Sequence, residues 1–196
     1  MAINDVAREI MIAYNTEAFI ETGLFRGGTP TIIRSWFPTV KIYEIEINGE
    51  FYNYGKELFQ GDPNTEIFLS DSKKYLEQNI KKFEKYNNPL FFLDAHWDPN
   101  NWPLRQEIKH ICELQSPIIL IDDFKTPGKT YGYDSYKGQE CSKDYVSDLI
   151  KPFTDYIYFS EKANQDGQGC GVIFINRTHD EIEPYMEKFG IFGEKL

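Results

Sequence analysis

The stretch Ala18-Phe19-Ile20-Glu21-Thr22-Gly23-Leu24-Phe25-Arg26-Gly27-Gly28-Thr29 reads as a strand, a tight glycine turn and the start of a helix. Glycines at those places let the backbone turn sharply and approach a ligand closely. The helix that follows has free N–H groups at its N-terminus. Glu21 puts a carboxylate at the tip of the strand. A negative charge is a poor neighbour for a pyrophosphate and a good one for a cationic group or a ribose. The stretch therefore predicts a pocket for a small nucleoside-containing ligand at the edge of a sheet.

Strand and helix signals alternate on either side of it. Residues 3–15 carry Ile3, Val6, Ile10, Met11 and Tyr14 at helical spacing. A helix is expected over 29–36, where Pro30 falls at a tolerated early position. KIYEIE over 41–46 is a second strand, 48–59 a helix and 66–69 a third strand. Ser70 or Asp71 can cap a helix over 73–86. LFFLD over 90–94 and PIILID over 117–122 are continuously apolar, as strands buried on both faces are. A helix over 103–114 separates them. The Gly-, Lys-, Tyr- and Ser-rich stretch 124–142 reads as a long loop of the kind that serves as a lid. After a helix over 143–151, TDYIYFS and GVIFIN flank a Gly-rich turn and read as an antiparallel hairpin. The tail 179–190 is expected to be a final helix. This order predicts a doubly wound, Rossmann-like α/β sheet of seven strands, mostly parallel, with a C-terminal antiparallel hairpin.

At 196 residues, with 41% apolar and 27% charged, the chain fits a single globular domain, residues 1–196. A net charge of −10 and the lack of a long Lys/Arg run argue against nucleic acid as a partner. Three widely spaced cysteines, Cys112, Cys141 and Cys170, make neither a disulfide framework nor a metal motif, so a reducing, cytoplasmic setting is the default. No apolar run reaches the length of a membrane span, and none is expected to meet a membrane. The sequence leaves a homo-oligomer open.

Ligands of such sheets bind at the carboxyl ends of the strands. Glu21, Glu46, Asp94, Asp122 and Asp123 all fall there. Acids at strand tips also cap helices and solvate loops, but five like charges on one rim are costly without a cation. The first loop reads E-x-G-x-x-x-G-G-T rather than G-x-G-x-x-G, which disfavours a nicotinamide-dependent dehydrogenase.

That loop resembles motif I of the class I S-adenosylmethionine (SAM)-dependent methyltransferases. KIYEIE resembles their acidic second motif, Leu69-Ser70-Asp71-Ser72 the third-strand motif, LFFLDAHW the fourth and PIILIDDF the fifth. The ordered match covers roughly residues 15–176. The resemblance implies a SAM site made of Glu21, Gly23, Arg26, Gly27, Gly28, Thr29, Glu46, Asp71, Ser72 and Asp94. Within it Glu46 takes the ribose, and Asp71 and Ser72 the adenine. It resembles in particular the metal-dependent O-methyltransferases of catechol or macrocin type. That implies Mg²⁺ on Asp94, Asp122 and Asp123, oxygen ligands suited to a hard cation.

His96, two residues past Asp94, can accept a hydroxyl proton, and Asp94 and His96 are the candidate catalytic pair. His96 serves equally as a metal ligand or as a ring bonded into its loop; His110 and His179 read as structural or solvated. Trp97, Trp102, Tyr131, Tyr133 and Tyr136 offer rings for a sugar or planar acceptor, or simply packing. Lys125, Lys129, Lys137 and Lys143 offer charge for a phosphorylated acceptor, or simply solvation. The expected activity is O-methylation of a sugar or similar small-molecule hydroxyl, with loop 124–142 closing over the acceptor. A metal-independent methyltransferase and a non-catalytic nucleoside-binding module remain as alternatives.

Overall fold

The computed structural model of the chain describes residues 3–95 and 102–196. Its strands are β1 (Ala18–Thr22), β2 (Lys41–Glu46), β3 (Thr65–Leu69), β4 (Leu90–Leu93), β5 (Ile118–Ile121), β6 (Ser135–Tyr136), β7 (Gln139–Glu140), β8 (Tyr156–Ser160), β9 (Gly171–Phe174) and β10 (Ile191–Lys195). Its helices are α1 (Ile3–Tyr14), α2 (Gly28–Trp36), α3 (Gly49–Leu58), α4 (Ser72–Asn79), α5 (Leu104–Ile111), α6 (Lys143–Ile150), α7 (His179–Ile182) and α8 (Met186–Phe189).

The main sheet runs β10-β8-β9-β5-β4-β1-β2-β3. Strands β1 to β5 are parallel, whereas β9 is antiparallel to both β5 and β8. Alternation along each strand feeds two cores. Ile20, Tyr43, Ile45, Phe91, Leu93, Ile119 and Ile121 point to one face, with Leu76, Ile108 and Val146 of α4, α5 and α6. Phe19, Ile42, Leu90, Phe92, Ile118 and Leu120 point to the other, with Val6, Ile10 and Ile33 of α1 and α2. Each such side chain, fully buried, contributes about 1.5–3 kcal/mol. LFFL and IILI are wholly buried because they lie mid-sheet between the two layers.

Several details differ from the sequence-based expectation, among them the helix expected over 73–86, which ends at Asn79 and passes into a 3₁₀ turn over Ile80–Phe83. The sheet has eight strands, not seven. The eighth, β10, pairs antiparallel with β8. Its pattern is hard to read because it is short and ends in Glu194 and Lys195, charges typical of a sheet edge. The tail ahead of it is also not one helix. Pro184 falls within it, where α7 gives way to a 3₁₀ turn over Glu183–Tyr185 before α8, and Gly190, at φ 64°, ends α8 and releases β10.

The stretch 124–142 is not a loose lid. It folds against the sheet through Phe124 N–H to Gly169 O, Lys125 N–H to Cys141 O and paired bonds between Gly132 and residues 167 and 169. Its tip is the β6–β7 hairpin, turned at Lys137 and Gly138, both with positive φ (51° and 80°). That conformation is the two-residue turn whose twist suits paired strands.

Candidate functional site

The strand order reverses between β1 and β4, and there the carboxyl ends of neighbouring strands part to leave a crevice. A cavity of about 460 Å³ opens at this point, lined by Gly23, Phe25, Glu46, Phe51 and Asp94. A hollow of similar size lies at the opposite end of the sheet, between 151–156 and 176–180, away from the strand-tip acids.

The crevice is built from the backbone up. Gly23 follows β1 at φ 94°, donates its N–H to Ile45 O, and lies so near β4 that a Cβ would sit 2.6 Å from Asp94 O. Asp94 N–H in turn donates to Thr22 O at 3.0 Å. Gly27, at φ 67°, is the N-cap of α2, and its carbonyl accepts from both the Thr31 N–H and the Thr31 hydroxyl. Gly28 has open space where a Cβ would be. The turn is thus a glycine frame opening onto a helix N-terminus.

Glu46 ends β2 on the same rim. Its Oε2 accepts the Phe25 N–H at 3.0 Å and its Oε1 the Asn48 N–H at 2.7 Å. Asn48 also caps α3 through the N–H groups of Glu50 and Phe51. The carboxylate is therefore fixed by two backbone donors while it borders the cavity. Phe51 is carried on the first turn of α3 and meets Phe25 edge to face, ring centroids 4.8 Å apart. The Arg26 guanidinium lies over the Phe25 ring at 5.3 Å. Neither Phe25 nor Phe51 was singled out by the motif reading. The available signal was Phe25 standing between the glycines of the first loop.

Asp71 and Ser72 stand at the start of α4, joined to this rim by Ser70 N–H donating to Glu46 O. The Asp71 carboxylate caps α4 through the Lys73 N–H, and Ser72 is buried. They are not among the residues lining the cavity.

Glu21 departs from the role of a rim charge. It is 2% exposed and pairs in register with Glu44, itself fully buried, on the face shared with α2. Burial, then the charges of Glu44 and Asp94, push the Glu21 carboxyl well above the usual carboxylate range, and a hydrogen bond with Thr29 draws it partly back. Burial pushes Glu44 up to about 8, with the Glu21 hydrogen bond lowering and the Glu46 charge raising it. Neither Glu44 oxygen, nor Glu21 Oε2, has an N–H or hydroxyl partner among the described residues. Two carboxyls meeting in this way bond to each other only with a proton between them. Glu21 is therefore a buried carboxyl held toward its protonated form, not a solvated negative charge at the turn.

The three acids expected to hold Mg²⁺ do not form that centre. Asp94 and Asp122 do follow neighbouring strands, with Asp122 N–H donating to Leu93 O. Asp122 Oδ1, however, accepts from Asn164 Nδ2 at 3.0 Å and from the Asp123 N–H at 3.0 Å. Asp123 takes a left-handed conformation, φ 51°, and its carbonyl accepts the Asp134 N–H. Among the described residues no group of three His, Cys, Asp or Glu is placed to hold a metal ion. Asp122 and Asp123 tie into the 164–168 and 124–142 turns instead.

The aromatic rim is also engaged in packing. Trp102 stacks on Tyr145 at 4.4 Å and meets Tyr136 edge-on. Tyr131, Tyr133 and Tyr136 donate their hydroxyls to Glu161 O, Glu140 and Asp134. Lys125 pairs with Glu140 and Lys143 with Glu194. His96 and Trp97 lie outside the described residues.

No known family profile matches the chain, and no curated protein matches it by sequence. Solved structures do match. The O-methyltransferase TomG from Streptomyces achromogenes, involved in tomaymycin synthesis and solved with SAM, aligns at a TM-score of 0.65 and 12% identity, over 89% of this chain and 80% of TomG. An O-methyltransferase from Bacillus cereus with S-adenosylhomocysteine (SAH) aligns at 0.64 and 11% identity, over 88% and 80% of the two chains. The N-terminal domain of EvdMO1, solved in the presence of SAH and D-fucose, aligns at 0.56 and 12% identity, over 89% and 82%. The chain shares the Rossmann-like α/β fold of these proteins.

Proposed function

We propose that the protein is a SAM-dependent O-methyltransferase acting on a small-molecule hydroxyl, with a sugar hydroxyl as the first acceptor to try. One observation carries the reading. At the β1/β4 switch point, Glu46 is held by two backbone N–H groups on the rim of a cavity walled by Gly23, Phe25, Phe51 and Asp94. A fixed carboxylate there is an acceptor for the paired hydroxyls of a ribose, and the aromatic wall suits the rest of a nucleoside. The TM-scores to SAM- and SAH-bound O-methyltransferases, 0.65 and 0.64, support it. The sugar preference draws support from EvdMO1, solved with D-fucose present.

Bound SAM supplies a methyl group on a sulfonium, whose C–S bond breaks as the acceptor oxygen bonds to that methyl. The chain supplies position and a proton acceptor. Glu46 anchors the nucleoside, and the glycine turn admits its backbone-hugging part. Asp94, at the β4 tip beside Gly23, orients the acceptor hydroxyl, and His96 takes its proton. Most of the rate gain comes from holding the two reactants in line. The acids past β4 and β5 do not fit a three-carboxylate Mg²⁺ centre, so the reading is metal-independent.

Titration calorimetry with SAH at pH 7, followed by transfer of labelled methyl to a panel of sugars and catechols in EDTA, tests it. The expected result is binding with 1:1 stoichiometry and label in a hydroxyl of at least one acceptor. Absence of SAH binding overturns it. Binding without transfer to any acceptor favours the non-catalytic module.

A further inference from the structure

Glu44 lies within KIYEIE but takes no role in the nucleoside site described above, yet it is the most buried carboxyl beside it. It is 0% exposed, in register with Glu21 on the adjacent strand, and neither of its oxygens has an N–H or hydroxyl partner among the described residues. Glu21 in turn bonds to Thr29, in the first turn of α2. The chain Glu44–Glu21–Thr29 thus runs from mid-β2, across β1, to the helix N-terminus that frames the cavity. A lone buried carboxyl with no donor would be strongly unfavourable. Two that share a proton satisfy one another.

We propose that Glu44 is a positioning residue: its hydrogen-bonded contact with Glu21 holds the Glu21–Thr29 tie and so fixes the 23–29 turn in its nucleoside-receiving form. The ligand side of this inference rests on the methyltransferase reading. The groups facing the pair are Asp94 from the β4 tip and Glu46 from β2 itself, with Thr29 from α2 and Ile67 in register from β3. Asp94 and Glu46 both favour retention of the proton. As the solution turns alkaline the pair gives up its protons, the negative charge that results is repelled by Asp94 and Glu46 as well as within the pair, and the tie to Thr29 slackens.

The test compares wild type with Glu44→Gln, whose amide can still hydrogen-bond Glu21, and Glu44→Leu, which has the bulk but no polar atom. SAH affinity is measured by calorimetry from pH 6.5 to 9.5. At pH 7, Glu44→Gln is expected to bind within threefold of wild type, and Glu44→Leu at least tenfold more weakly while keeping a cooperative unfolding transition. The Glu44→Gln to wild-type affinity ratio is expected to rise at least fivefold by pH 9.5; the ligand's own ammonium titrates in both and cancels. Glu44→Leu binding like wild type, Glu44→Gln as weak as Glu44→Leu, or a ratio flat with pH each overturns the proposal. If Glu44→Leu does not fold, the Glu44→Gln ratio decides alone. Should wild type fail to bind SAH, the methyltransferase reading falls, and amide exchange at Thr31 judges the pair. There Glu44→Leu is expected to exchange at least tenfold faster and Glu44→Gln at the wild-type rate; equal rates for all three refute it.

Discussion

The backbone N–H of Phe25 donates to Oε2 of Glu46 across 3.0 Å, joining the first loop to the end of β2. The bond occurs because Phe25 adopts φ 48°, the one aromatic residue among the six described non-glycine residues with positive φ. Bulky side chains rarely accept that conformation, and strained backbone concentrates at functional sites. The carboxylate gains a fixed orientation in return.

Glu46→Ala should weaken SAH binding by roughly 10- to 100-fold, the scale of one or two lost charge-assisted hydrogen bonds. Calorimetry at pH 7 measures it. The melting temperature should fall as well, because the Phe25 and Asn48 N–H groups lose their acceptor. Unchanged affinity would remove the ribose role.

Gly23→Ala should be damaging in both fold and binding. The new Cβ would lie 2.6 Å from the Asp94 carbonyl oxygen, at a φ of 94°. Backbone cannot retreat there without spreading β1 from β4. A loss of about 2–4 kcal/mol in urea unfolding is expected, the range for strain and overpacking at a closed site. Gly28→Ala, with open space around it, is the control and should lose less than about 1 kcal/mol.

The buried carboxyl pair sets a pH dependence of stability. A carboxyl raised from about 4.5 unfolded to about 8 folded keeps its proton in the native state after the unfolded chain has lost it. The native state then binds more protons, so stability falls as pH rises through this window and levels off above it. The slope is up to about 1.4 kcal/mol per pH unit for each carboxyl. Glu44→Gln removes one such contribution. It should match wild type near pH 5 and exceed it increasingly by pH 8 in denaturant titrations. A constant gap would contradict the assignment.

Chelation should leave methyl transfer unaltered, since Asp122 is occupied by Asn164 and by the Asp123 N–H. Activity lost to EDTA and restored by Mg²⁺ would contradict this. Asp122→Ala should instead loosen the 164–168 turn, read as faster amide exchange at Gly169, whose N–H donates to Gly132 O.

Much of this architecture is legible in the chain because local and global signals agree. KIYEIE, LFFL and IILI form strands where their apolar patterns place them, and the glycine turn bends at Gly23 and Gly27. What escapes is set by partners far along the chain. The burial of Glu21 depends on which face of β1 meets α2 and on the residue opposite it in β2. The role of Asp122 depends on Asn164, 42 residues later. The lid reading of 124–142 failed because Gly167 and Gly169 anchor that stretch through backbone bonds that its composition does not announce.

The last strand has a protective consequence. β10 covers the outer margin of β8 along its whole length, from Tyr156 to Ser160, and Leu196 N–H and the Lys143–Glu194 pair fasten it down. Stripped of residues 191–196, the molecule would present a bare ladder of five aromatic-rich residues, YIYFS, to any passing chain. A truncated protein should then self-associate at concentrations where the full one stays dispersed. Those few terminal residues act as a guard rail against uncontrolled stacking.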